Sequence, residues 1–281
     1  MDGLLLIDKP SGWTSFDVVA KIRGILRSQA TLTSKIKVGH TGTLDPLATG
    51  LLVLLIGSYT KRAPEFSKLD KTYEVTMKLG ETSTTGDEEG TKTQVTDILD
   101  LPKAPPSPDQ LTSADSGLSS FDVAMATSPS VKPLSTRADL PWERTILGKA
   151  SKQPTENDIK NAIAFFIHTE YMQVPHAFSA IKVGGQRAYK LARAGKEVKL
   201  EPRKVKVYSI QLTAYSYPEV KFTTEVSSGT YIRSLVEDIG KALGTGAYMS
   251  DLRRTQVGDF KVKDSQLVTG VENTIILTTM P

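Results

Sequence analysis

The stretch from Leu47 to Ile56 is the longest apolar run in the chain. Interrupted by Thr49 and Gly50, it is about half of the ~20 residues that cross a bilayer, so it reads as a buried strand of a folded core. The 281 residues are enough to bury such a core, as one large domain or two smaller ones. Asp2 stands where a secretory signal would carry positive charge, and the apolar run Leu4 to Ile7 is too short for a signal core. The expectation is a soluble, cytoplasmic protein. Cysteine is absent, which removes disulfides, thiolate metal sites and thiol nucleophiles together. Any chemistry must rest on oxygen and nitrogen groups.

Around that strand short helices and strands mix without regular alternation. Gly3 to Asp8 reads as a first strand, ended by the turn signal Lys9-Pro10-Ser11-Gly12. Thr14 and Asp17 have capping-box spacing before Val18, Val19, Ile22, Ile25 and Leu26, which predicts a helix near Ser15 to Arg27. Lys71 to Leu79 alternates strictly, with Tyr73, Val75, Met77 and Leu79 on one face of a half-buried strand. Eight of the 15 prolines fall between Pro102 and Pro154 without periodicity, which marks 101–154 as a proline- and serine-rich insertion. Thr155 and Asp158 cap a further helix, another is expected from Gln186 to Ala194, and a last one from Thr230 to Leu243. Strands fit Lys204 to Leu212 and Val220 to Val226. The irregular mixture predicts an α+β fold rather than a doubly wound parallel one.

A net charge of +4 says little, but its distribution says more. Nine basic and two acidic residues lie between Lys182 and Lys206, and seven acidic and two basic between Asp87 and Asp115. The basic excess fits a phosphate-binding surface as well as a solvated lysine-rich face.

The string Gly39 to Gly50, GHTGTLDPLATG, places three glycines and a proline around Asp45. Taken alone, Asp45-Pro46 is a turn former. The whole string resembles the signature of the TruB family of tRNA pseudouridine-55 synthases, in which the aspartate of this motif is catalytic. GLLLIDKPSGWTSFDVV is similar to the family's lysine-proline motif, and KTYEVTMKLGETSTTGDEEG to its tyrosine-bearing strand and following loop. VPHAFSAIKVGGQRAYKLARAG is similar to its RNA-clasping segment, and SSGTYIRSLVEDIG and LRRTQVGDF to its remaining signatures.

The resemblance implies a single catalytic domain over 1–281 with the pseudouridine synthase fold, a mixed, mainly antiparallel central sheet flanked by helices. It implies isomerisation of uridine 55 in the T-arm loop of tRNA, with no cofactor, metal or obligate protein partner. Such a reaction asks for a carboxylate that attacks or stabilises charge, and a base for the C5 proton. Asp45 takes the first role. Tyr73 matches the family's tyrosine, for stacking on the base and relaying the proton, although a phenol with a pKa near ~10 is a poor base unless its surroundings lower it. Arg233 matches the arginine that pairs with the aspartate. It falls in the first turn of a helix, where the dipole disfavours a cation, so a partner is expected, in a bidentate pair with Asp45.

Tyr231 and Leu252 match positions lining the uracil pocket, and His40 matches a histidine beside the flipped nucleotide. Lys182, Arg187, Lys190 and Arg193 are expected to contact RNA, as is Lys9, which also shapes the site from below. His176 and Phe178 depart from the family's proline and tyrosine. Two other readings remain: a non-catalytic RNA-binding or tRNA-folding protein, and a guide-RNA-dependent synthase subunit. The second class carries a C-terminal PUA domain, whereas 261–281 is expected to be a short tail.

Overall fold

The computed structural model describes residues 2–29, 36–96, 153–167, 170–179, 181–196, 198, 200–270 and 277. Apart from Gln153 and Pro154, the insertion expected at 101–154 lies outside them. The described residues build around a ten-stranded sheet whose main path runs β14-β1-β3-β12-β4-β11-β10-β7. These strands are β1 (Gly3–Lys9), β3 (Thr49–Ile56), β4 (Lys71–Leu79), β7 (Glu170–Gln173), β10 (Arg203–Ser216), β11 (Glu219–Val226), β12 (Ala247–Val257) and β14 (Gln266–Leu267). Strand β2 (Val38–His40) adds to β3 and β13 (Phe260–Lys261) to β12, while β5 (Glu81–Ser83) and β6 (Lys92–Gln94) form a separate hairpin. Pairing is antiparallel except between β1 and β14 and between β3 and β12. The sheet is therefore mixed and mainly antiparallel, as expected.

Alternation along the strands sorts the core into layers. Leu5, Ile7, Leu52, Leu54 and Ile56 meet Val18, Val19, Ile22 and Leu26 of helix α1 (Ser15–Gln29). On the opposite face Leu4, Leu6, Leu51, Val53 and Leu55 are covered by Phe66 of the short helix α2 (Ala63–Ser67). Tyr73, Val75, Met77 and Leu252 pack with α3 (Glu156–Ala164) and α5 (Ile232–Leu243). Arg254 pairs with both Gly50 and Tyr73, and paired residues share a face. Hence α1 and α5 lie on the same face of the sheet, with the middle of that face between them. Residues 41–48 connect β2 to β3 there.

Local signals behaved as short-range physics requires. Thr14 and Asp17 form both arms of a capping box, and so do Thr155 and Asp158. Gly195 and Gly244 adopt positive φ behind their helices. Three boundaries differ. Helix α4 covers only Ala188–Arg193, because Gly184 and Gly185, at φ 56° and 83°, turn a hairpin that pairs Lys182 with Arg187. Helix α5 is capped at Tyr231 instead of Thr230, whose hydroxyl turns back to the Ser227 carbonyl at 2.8 Å. Gln173 takes over the capping work, accepting from the Tyr231 N–H at 2.8 Å. Finally, the stretch expected as a tail supplies β14 on the edge of β1, and Val268 is buried against the α1 layer.

Candidate active site

Asp45 is carried on a loop pinned from both sides. The turn and helix start at 9–15 hold it below: Ser15 Oγ accepts from Leu44 N at 2.8 Å and donates to Leu44 O at 3.1 Å. Gly12 N donates to Pro46 O at 2.8 Å, and Ser11 Oγ to Leu47 O at 3.2 Å. From the sheet, the buried Arg254 donates to Leu51 O at 2.7 Å and to Gly42 O at 3.1 Å. The bonds from Ser15 and from Arg254 to Leu51 O satisfy loop groups that burial would otherwise leave unpaired. The carboxylate therefore sits on backbone with little freedom to drift.

Lys9 is part of that platform and not, as expected from the sequence, an RNA contact. It is fully buried, and its ammonium donates to the carbonyls of Trp13 (2.7 Å), Pro10 (2.9 Å) and Pro46 (3.2 Å). Three donors on three carbonyls leave none for a phosphate. Burial lowers its pKa to about 8, opposed by the Asp45 charge and reinforced by that of Arg254. The sign of the stability effect follows. Below about 8 both folded and unfolded chains hold the proton; between there and 10.5 the unfolded chain alone keeps it. The stability of the native chain relative to Lys9→Met is thus expected to rise with pH across that window. Urea midpoints of the two chains between pH 7 and about 10 check this, and a difference that falls over the same range contradicts it.

Arg233 lies in the first turn of α5, only 5% exposed. The structure answers what offsets its unfavourable place at the positive helix end. Nη2 is 3.1 Å from Asp45 Oδ2 and donates to Phe178 O at 3.0 Å. Nη1 donates to Thr85 O at 3.0 Å and is 3.4 Å from Asp87 Oδ2. In place of the expected bidentate pair with Asp45, the guanidinium fork is divided between two carboxylates. Asp87 is itself 4% exposed and held by Thr85 Oγ1 and the Glu89 N–H. The sequence reading did not single out Asp87, counting it only with the acidic stretch from Asp87 to Asp115. The signal was the Thr85-Gly86-Asp87 turn inside the motif already quoted.

The departures at 176 and 178 fall beside this network. His176 Nδ1 accepts from Phe178 N–H at 3.2 Å, and Nε2 faces Glu237 of α5 at 3.4 Å. The altered segment thereby stays tied to the helix bearing Arg233.

Tyr73 (7% exposed) and Leu252 (5%) pack in one apolar cluster with Leu44, Ala48 and Ile232. Tyr231 borders it as the cap of α5; burial raises its phenol pKa, with Arg203, Ser179 and Arg233 pulling it down and Asp45 adding to the rise. The structure thus brings Asp45, Arg233, Tyr73, Tyr231 and Leu252 to one place. Its physical character is an apolar wall with one partly exposed carboxylate, 33% accessible. His40 stands at the other end of the loop on β2. Burial, then the Arg254 and Arg187 charges, lower its pKa, so it is a neutral imidazole at pH 7. Lys182, Arg187, Lys190 and Arg193 are all exposed on the β8–β9 hairpin (β8, Lys182–Val183; β9, Gln186–Arg187) and α4. Among the described residues no group of three or more His, Asp or Glu is placed to hold a metal ion, and no helix is long and apolar enough to cross a membrane.

Comparison with known proteins agrees with this picture. The family model described as TruB family pseudouridylate synthase (N terminal domain) matches residues 29–105 and 135–232. That of the tRNA pseudouridylate synthase B C-terminal domain matches 233–273. The tRNA pseudouridine synthase B of Opitutus terrae is 34% identical over 97% of this chain and 88% of its own length. That of Bifidobacterium longum is 37% identical over 93% of this chain and 64% of its own. Among solved structures, a chain of a Cbf5-Nop10-Gar1 complex superposes with TM-score 0.58 at 26% identity, over 96% of this chain and 54% of that one. A chain of an H/ACA RNP bound to a substrate RNA containing 2'-deoxyuridine gives 0.56 at 25%, over 96% and 52%.

Proposed function

The chain belongs to the TruB pseudouridylate synthase family, and from that premise we propose that this tRNA pseudouridine synthase acts on uridine 55 in the T-arm loop. The observation that carries the site assignment is the division of Arg233 between Asp45 and Asp87 beside the Tyr73 cluster. The reaction breaks the bond from uracil N1 to the ribose and makes one from C5; C5 gives up its proton and N1 takes one up. Atoms and charge balance within the nucleotide and with solvent, without oxidant or reductant.

Asp45 is the catalytic carboxylate. Arg233 is its counter-ion, and because Asp87, Thr85 and Phe178 occupy the rest of the fork, the guanidinium holds Asp45 without following it. Asp87 is thus a positioning residue. The uracil, flipped from its stack, lies against Tyr73, Tyr231 and Leu252, and the neutral ring of His40 fills the gap it leaves. Lys182, Arg187, Lys190 and Arg193 grip the phosphates of the stem-loop. The enzyme works as a single chain in the cytoplasm. Its greater identity to tRNA pseudouridine synthase B proteins than to the Cbf5-complex chain favours this over a guide-RNA-dependent subunit.

The position is tested by mapping pseudouridine in an unmodified tRNA transcript and in one with cytidine at position 55. Modification at 55 in the first and none in the second is expected; equal modification elsewhere overturns the assignment. Arg233→Lys is expected to lower the single-turnover rate about a hundredfold with little change in tRNA affinity, since an ammonium keeps the charge but cannot span both carboxylates. A rate within threefold of the native chain would reduce Arg233 to a structural cation.

A further inference from the structure

We propose that the outer face of α1 is a second RNA-contact surface, which stacks an unpaired tRNA nucleobase on Phe16 and engages neighbouring phosphates with Arg23 and Arg27. Phe16 is 63% exposed, equalled among the described large hydrophobic side chains by Leu267. A lone exposed aromatic means little, but this one is organised. Arg23 places its guanidinium 6.0 Å from the Phe16 ring centroid, leaving an aromatic surface backed by a cation.

Positions 16, 20, 23 and 27 fall on one stripe of the helix, and there the chain has Phe16, Ala20, Arg23 and Arg27. Arg27 is exposed in the last turn, where it also complements the helix dipole. Ala20, between them on the stripe, is exposed and too small to come between the Arg23 guanidinium and the Phe16 ring. The acidic residue of α1, Asp17, lies off the stripe and spends its carboxylate on the Thr14 N–H and hydroxyl, and neither Arg23 nor Arg27 forms an ion pair among the described residues.

The stripe starts at the reaction centre. Ser15, the residue before Phe16, holds Leu44, the residue before Asp45. Since α1 shares the sheet face with the Asp45 loop, RNA that delivers a uridine to Asp45 must extend its flanking nucleotides over the elements that wall that face. The β8–β9 hairpin is one such element, with Arg187 close enough to His40 to influence it; α1 is another. The occupant is RNA and not an apolar protein partner, because the aromatic surface is flanked by cations that form no ion pair among the described residues, at a spacing of about one to two helical turns. This inference rests on the tRNA reading above and adds where that substrate is gripped.

Equilibrium filter binding of an unmodified tRNA transcript tests it, with the full chain carrying Asp45→Asn so that bound RNA is not turned over. Phe16→Ala is expected to weaken binding about tenfold, and Phe16→Trp to retain native affinity. Arg23→Gln with Arg27→Gln should weaken binding and make the slope of log affinity against log salt shallower by roughly 1.5 to 2, the release expected for two phosphates. In the chain with Asp45 intact, the same variants should keep the single-turnover rate at saturating tRNA. Affinity within twofold of the host and an unchanged salt slope would overturn the inference, as would loss of affinity that tracks a fall in melting temperature. Because binding is read without turnover, these outcomes are distinct from failure of the native chain to modify tRNA, which would overturn the functional reading instead.

Discussion

Asp45→Asn is expected to lower the single-turnover rate of pseudouridine formation by roughly a thousandfold or more, while fold and tRNA affinity stay near native. The substitution keeps the volume and removes the charge and nucleophilicity. The new amide can still turn its carbonyl oxygen toward Nη2 of Arg233, which only one oxygen of Asp45 faces in the native chain. In a site where Asp45 were the sole counter-ion, the change would strand a buried guanidinium and destabilise the protein. Here Asp87 remains 3.4 Å from Nη1, and the Thr85 and Phe178 carbonyls remain at 3.0 Å. The arginine stays compensated, so loss of activity should not be accompanied by loss of structure. Rapid-quench assays under excess enzyme, with melting curves of both proteins, separate the two. A rate within tenfold of native removes Asp45 from the catalytic role.

The largest expected effect on stability is at Gly50. Its φ is +99°, and a Cβ there would stand 2.2 Å from the Arg254 carbonyl oxygen and 2.7 Å from the Arg254 N. Both atoms belong to the backbone of β12, so no side-chain rotation relieves the clash. The strands would have to separate at one of the two residue pairs that join β3 to β12. Gly50→Ala is therefore expected to cost about 4 kcal/mol or more, or to prevent folding. Gly184, also at positive φ, has nothing within 4 Å of its Cβ position, and Gly184→Ala should cost only about 1 kcal/mol. Urea denaturation of the pair checks the contrast. Equal, small losses would mean that β3 and β12 can part without penalty.

What the sequence made legible divides by range. Capping boxes and the alternation of β4 are written in residues a few positions apart, and these elements lie where the pattern put them. Strand β12 was not foreseen as a strand. Register shifts between Met249 and Asp251 and between Arg254 and Gln256 break its period of two, and its middle carries Asp251, Arg253 and Arg254. Those charges look like surface, yet Arg254 is buried and Arg253 forms a two-pronged pair with Asp8.

The site divides in the same way. Asp45 and Arg233 stand out as candidates because their motifs are distinctive, and the structure sets them 3.1 Å apart although 188 positions separate them in the numbering. Asp87 and the burial of Lys9 were not legible, since each depends on carbonyls and a cation delivered from other elements. A lysine before a Pro-Ser-Gly turn has no local reason to be inside.

The most direct test of the account uses the native chain and an unmodified tRNA transcript carrying tritium at C5 of its uridines. Forming the new bond from C5 expels that hydrogen, so release into water counts turnovers whatever the route to the new bond. The account predicts release that plateaus at one tritium per tRNA, without added metal or cofactor, with the product pseudouridine in the T-arm loop. Tight binding of the tRNA with no tritium released would contradict it, and would leave the chain an RNA-binding protein on an enzyme's fold.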